Sequence, residues 1–190
     1  MLDDDDPGWP WRRAPFVVFP LYGQLLQRRS RRDLNRDGLL MLRELFMAFV
    51  AAILLFGVVL SFMDPGETEP SPGLAVGLLA LGVLAGIMGR VVERPLDCTS
   101  DQKLAASYRT RFFIRIAFSE TAALFGFVGF FLTAERWVYP IAAAITLVGF
   151  ARAAPTRAHL QQDQERLSER ACFRSLVNAI RATPPSDPRR

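Results

Sequence analysis

The sequence predicts an all-α polytopic membrane protein: four transmembrane helices forming two hairpins, with cytoplasmic N- and C-terminal segments. Three observations carry that reading. Of 190 residues 51% are hydrophobic, and mean hydropathy is +0.17 although 22% are charged. That combination requires apolar and charged residues to be segregated, and four apolar runs do lie between Leu45 and Ala151, with nearly all the charge outside them. The lysines and arginines are also placed unevenly along the chain. The apolar content excludes disorder, and two cysteines exclude a disulfide scaffold. The net charge of +4 would point to nucleic acid in a soluble protein. In a membrane protein it sets topology, so the bilayer is the expected partner and nucleic acid is not.

The chain divides into a basic segment over 1–44, a transmembrane domain over 45–154, and a helix with a disordered tail over 155–190. Within 1–44, residues 14–26 (APFVVFPLYGQLL) form an apolar patch broken by Pro20 and followed by QRRSRR. It is too short to cross and reads as an interfacial segment or as one docked on the bundle. The spans follow at 45–63, 73–89, 112–132 and 137–151. A hydrocarbon core about 30 Å thick needs roughly 20 apolar residues, with about 17 tolerable. The first three runs qualify, and the fourth suits the return leg of a hairpin. The run at 45–63 is apolar all round, unlike the one-sided stripe of a soluble helix.

Orientation follows from the basic residues. Eight lie in 1–44, five in 90–111 and eight from 152 onward, against none in 64–72 and one in 133–136; Arg115 is the remaining one. The positive-inside rule then places both termini and the 90–111 loop in the cytoplasm. Trp137 and Tyr139 are expected at the outer headgroups, where amphipathic rings are favoured. Cys98 and Cys172 fall on the inner side without CxxC spacing, which predicts reduced thiols without a role. Residues 156–182 read as one helix with Phe173, Leu176, Val177 and Ile180 on one face, and His159 stands alone on it.

Residues 33–44 match the pattern D-x-N-x-D-G-x-[ILV]-x-x-x-E at every specified position. Calcium takes six to eight hard oxygens in a flexible cage. Asp33, Asn35 and Asp37 would offer side-chain oxygens, Leu39 its carbonyl and Glu44 two carboxylate oxygens, with Gly38 at the sharp turn. Over these twelve residues the chain resembles an EF-hand calcium loop, which implies calcium as a cofactor. The same residues also read as an Asp-Gly turn with acidic groups leading into the first span, stabilised by the helix dipole.

The second span is glycine-rich. Gly73-xxx-Gly77 and Gly82-xxx-Gly86 are small-xxx-small steps that let helices approach closely. After a basic loop with Arg94-Pro95, the third span carries Glu120 eight residues inside, about 12 Å deep. A carboxylate there costs about 2.5–3.5 kcal/mol on insertion scales. Residues 73–132 resemble the hairpin of the proteolipid subunit c of rotary ATP synthases, which implies that Glu120 carries a proton or sodium ion. The plainer reading is a structural carboxyl, hydrogen-bonded to Ser119, Thr121, Thr146 or Arg115.

No nucleophile–base pair, phosphate loop or haem ligand set is present, so no enzyme is expected. The residues point to a non-catalytic accessory or assembly component, calcium-responsive through 33–44, that associates with other membrane subunits or itself. Ion translocation through Glu120 is the alternative.

Overall fold

The computed structural model describes residues 8–9, 37–65 and 69–182. The apolar patch at 14–26 and the candidate ligands Asp33 and Asn35 lie outside the described residues. Among the described residues every regular element is a helix: α1 (Gly38–Ser61), α2 (Pro72–Val91), α3 (Asp101–Thr133), α4 (Val138–Ala153), α5 (Arg157–Glu169) and α6 (Leu176–Ala182). Three of these, α1, α2 and α3, are long and apolar enough to cross a membrane. With α4 and α5 taken as one span bent by 53° the number rises to four.

Local chemistry sets most of the boundaries. Asp37 caps α1, its Oδ1 accepting from the amides of Leu39 (3.0 Å) and Leu40 (3.3 Å). These are among the donors a helix leaves unpaired in its first turn. Pro72 opens α2, where its missing N–H costs nothing, and α2 stops short of Pro95. Ser100 Oγ accepts from the Lys103 amide at the start of α3, and Asp101 faces that helix's positive end. At 33 residues, α3 is about 50 Å long, well beyond its apolar run. Thr156 caps α5 through the His159 amide.

The expected single helix over 156–182 is two. Helix α5 ends in a Schellman turn: Cys172 N–H reaches Leu167 O, Ala171 N–H reaches Ser168 O, and Ala171 takes φ 58°. That left-handed position is usually glycine, so the sequence carries no sign of the break. Phe173 therefore leaves the apolar face and is 88% exposed, while Leu176, Val177 and Ile180 are buried.

The chain forms two compact units, 1–48 with 94–110 and 154–190, and 49–93 with 111–153. In the second unit the helices meet along small residues. A Cβ on Gly82 would lie 2.8 Å from Ala122 Cα, and one on Gly89 2.6 Å from Phe118 Cβ. Ala75 is also fully buried, so the α2 seam runs along Ala75, Gly82 and Gly89, one residue in seven. Of the glycines expected to pack, Gly82 is on that seam; Gly73, Gly77 and Gly86 face open space among the described residues. On the other side of α3, Gly126 lies against Ala142 and Gly149 against Ser119. Rings fill the rest, with Phe56 on Phe127 (5.6 Å) and Phe49 on Phe150 (6.5 Å).

Tyr139 packs inward. It is 3% exposed, and its hydroxyl donates to Ile53 O at 2.6 Å. Gly57 permits this, because a Cβ there would sit 3.2 Å from the ring. Trp137 does stay exposed, its indole N–H on Glu135.

The other unit is tied by groups far apart in sequence. Arg43, fully buried, donates to Pro155 O (3.2 Å) and Gly8 O (2.6 Å) and lies 5.3 Å from the Trp9 ring. Arg109 donates to Ile180 O. Cys98 and Cys172 are joined in a disulfide, which corrects the expectation of two idle thiols. A separation of 74 residues leaves no spacing signature from which the pairing could be read.

Candidate functional site

The candidate residues fall at three places. The first is the middle of α3. Glu120 is half-buried, and Ile116 and Ala123, one turn away on either side of it, are buried. It therefore points along a face that packs inward. The partners expected for it are engaged elsewhere or idle. Thr121 donates to Ala117 O, and Arg115 is bound to Glu93. Ser119 packs against Gly149. Thr146 is fully buried, and its hydroxyl has no partner among the described residues. Among the described residues Glu120 has no hydrogen-bond or ion-pair partner.

The second place is the connection after α2. Glu93 accepts from Arg115 Nε (2.6 Å), Arg115 Nη2 (2.9 Å) and Arg111 Nε (2.9 Å). The two arginines stand one turn apart on α3 and so present their guanidiniums on one face. Partial burial alone would push the Glu93 carboxyl up, but the Arg115 hydrogen bonds and the charges of both arginines outweigh it. They hold the carboxyl below its ordinary value of 4.5. The resulting stability is whole above that ordinary value and drains as pH falls through the lowered native one. Glu93→Gln should therefore flatten the acid side of a melting-temperature profile while leaving its shape unchanged near neutrality. An unchanged acid limb in the mutant would show that the triad adds nothing.

The third place is the start of α1. Asp37 Oδ1 serves the cap, and Oδ2 accepts from Arg181 Nε at 3.0 Å. Leu39 and Glu44 lie within α1, where the Leu39 carbonyl belongs to the helix ladder. Gly38 is helical as well. No group of three or more His, Cys, Asp or Glu side chains suited to a metal ion occurs among the described residues. His159 Nδ1 is 2.8 Å from Ala154 O.

Sequence reasoning passed over Arg43, Glu93 and the cysteine pair. Nothing local marks any of them, since each acquires its partner from a distant segment. Comparison with protein-family models, with curated proteins and with solved structures gave no match to this chain.

Proposed function

We propose that this chain is a non-catalytic integral membrane protein with four spans and both termini in the cytoplasm, acting as an accessory or assembly subunit. One observation carries the proposal: a mid-span carboxyl on an inward-packing face that has no partner among the described residues. A polar group at that depth costs free energy unless it is paired. A helix from another subunit or a second copy supplies the donor. Gly86 of α2, open among the described residues and lying between the Gly82–Ala122 and Gly89–Phe118 contacts, gives such a helix close approach. The fourth span is supported by the way α4 lies beside the apolar half of α3, Ala142 by Gly126 and Gly149 by Ser119. At 16 residues α4 is about 24 Å long, short for a lone span and adequate beside a longer one.

The test is what co-purifies in mild detergent. Glu120→Gln keeps the shape and most hydrogen bonds, so the assembly should survive it. Glu120→Leu strands the partner's donor at about 1–3 kcal/mol, roughly a ten- to hundredfold weaker association. The same unpartnered carboxyl favours the alternative of proton or sodium translocation. There the Gln variant folds and assembles but loses flux in liposomes. Equal flux in wild type and Glu120→Gln removes transport; lost flux replaces the assembly reading.

Calcium at 33–44 would compete for Asp37 with the α1 cap and with Arg181. Its expected affinity is accordingly weak, with Kd about 10⁻⁴–10⁻³ M. Titration calorimetry on the whole protein should show heat that Glu44→Gln lacks, because the bidentate ligand is gone. Identical traces would leave Asp37 as a helix cap and nothing more.

A further inference from the structure

Cys98 lies in the α2–α3 connection and is half-buried; Cys172 lies in the α5–α6 turn and is 6% exposed. Their Cα atoms are 6.2 Å apart. The turn is also held to the start of α3 without the sulfurs. Arg174 pairs with Asp101 at 2.6 Å, and its second nitrogen lies 3.5 Å from Thr99 O. Gln164 braces the turn from inside, donating to Arg174 O (3.0 Å) and accepting from the Leu176 amide (2.7 Å). These contacts fall within four residues of one sulfur or the other, apart from Gln164, so the two thiols stay close when the bridge is open. Directly after the turn comes α6. Its Leu176, Val177 and Ile180 are buried, and its Arg181 holds Asp37, the cap of α1.

Both cysteines belong to the basic segments 90–111 and 152–190, which the proposed topology puts in the cytoplasm. Thiols there are kept reduced, and disulfides that form are transient. We infer that Cys98–Cys172 is a reversible thiol–disulfide site, closed by a low-molecular-weight disulfide of the glutathione type. Closing it fixes α6 and the Arg181–Asp37 contact at the start of the first span. The inference rests on that topology.

The exchange balances. Cys98, the more exposed sulfur, loses its proton and attacks one sulfur of oxidised glutathione, giving a mixed disulfide and one glutathione thiolate. Cys172 thiolate then attacks the Cys98 sulfur and expels the second. Two protein thiols are oxidised, one glutathione disulfide is reduced to two thiols, and the two protons end on those thiols.

The full-length protein in detergent is equilibrated across mixtures of reduced and oxidised glutathione. Free thiols are counted by gel shift with a maleimide-linked polymer, and amide exchange in 176–182 is followed by mass spectrometry. The expected result is one transition between two free thiols and none, centred within the range of cytosolic poise, with α6 amides exchanging at least about tenfold more slowly in the closed form. Cys172→Ser should stop at the glutathione adduct on Cys98. A bridge that never closes, a bridge that stays closed throughout the cytosolic range, or α6 exchange equal in both forms overturns the inference. The topology is read separately, in a background of Cys98→Ser and Cys172→Ser. Ser168→Cys labelled from outside intact cells removes the cytoplasmic placement and leaves the glutathione transition unaltered; a missing transition with Ser168→Cys protected removes the clasp alone.

Discussion

Gly126→Leu should abolish the folded membrane unit, while Gly77→Leu should leave it intact. A Cβ at Gly126 would run into the Ala142 Cβ and lie 3.5 Å from both Tyr139 Cα and Val138 O. Two of those three neighbours are backbone and the third is a Cβ fixed to it, so no side-chain rotation can make room. Helices α3 and α4 must part along their whole contact. That also opens the Gly149–Ser119 contact and pulls Tyr139 off the Ile53 carbonyl. Overpacking in a core commonly costs about 1–3 kcal/mol, and a branched four-carbon side chain against fixed backbone belongs beyond the top of that range. At Gly77 a Cβ meets nothing. Size-exclusion profiles and melting temperatures in detergent would separate the two variants. Equal behaviour would mean that α3 and α4 do not pack along Gly126. If Gly77→Leu melts normally yet loses its co-purifying subunits, the open face of α2 is the one that partners use.

Arg43→Met should unfold the unit formed by the chain ends and the 94–110 segment. The guanidinium is fully buried and supplies donors to the carbonyls of Pro155 and Gly8. Methionine fills much of the volume and offers no donor. Losing the buried bond to Pro155 O costs about 1–3 kcal/mol, the part-buried bond to Gly8 O adds to it, and the cation–π contact with Trp9 adds about 0.5–2 kcal/mol. Arg43→Lys keeps the charge and loses the fork that reaches two carbonyls at once, so it should fall between the two. The readout is protease sensitivity of 157–182 together with the melting temperature. A methionine variant as resistant as wild type would show that Arg43 is a spectator.

What could be read directly from the residues is the part governed by local composition. The apolar runs at 45–63, 73–89 and 112–132 lie within α1, α2 and α3 apart from the two residues beyond Ser61, because a span needs only length and the absence of charge. Their polar extensions were hidden: α1 starts at Gly38 because Asp37 caps it, seven residues before the apolar run begins. The glycines of α2 were visible, but the seam was not. Four-residue steps single out Gly73, Gly77, Gly82 and Gly86, while the seam runs through Ala75, Gly82 and Gly89 at every seventh position, with Gly82 against the small residue Ala122 and Gly89 against Phe118. Ala171 concealed a helix end, since its left-handed backbone is normally announced by glycine. Glu120 was identifiable by its depth alone. That its nearby hydroxyls are turned elsewhere depends on three-dimensional packing that no spacing rule encodes.

The composition of the unit around Arg43 has a consequence for biogenesis. It is assembled from 1–48, 94–110 and 154–190, so its last component leaves the ribosome only after residues 1–153 have been made. Chains are made from the N-terminus at about 5–20 residues per second, and contacts this distant in sequence form slowly. Helix pairs can enter the bilayer as they emerge. Leu39, Leu42, Leu104 and Tyr108, all buried in the finished protein, belong to a unit that stays incomplete until 154–190 has been made. A nascent chain stalled before residue 154 would hold its spans in the membrane and present that apolar surface to whatever holdase stands at the exit site.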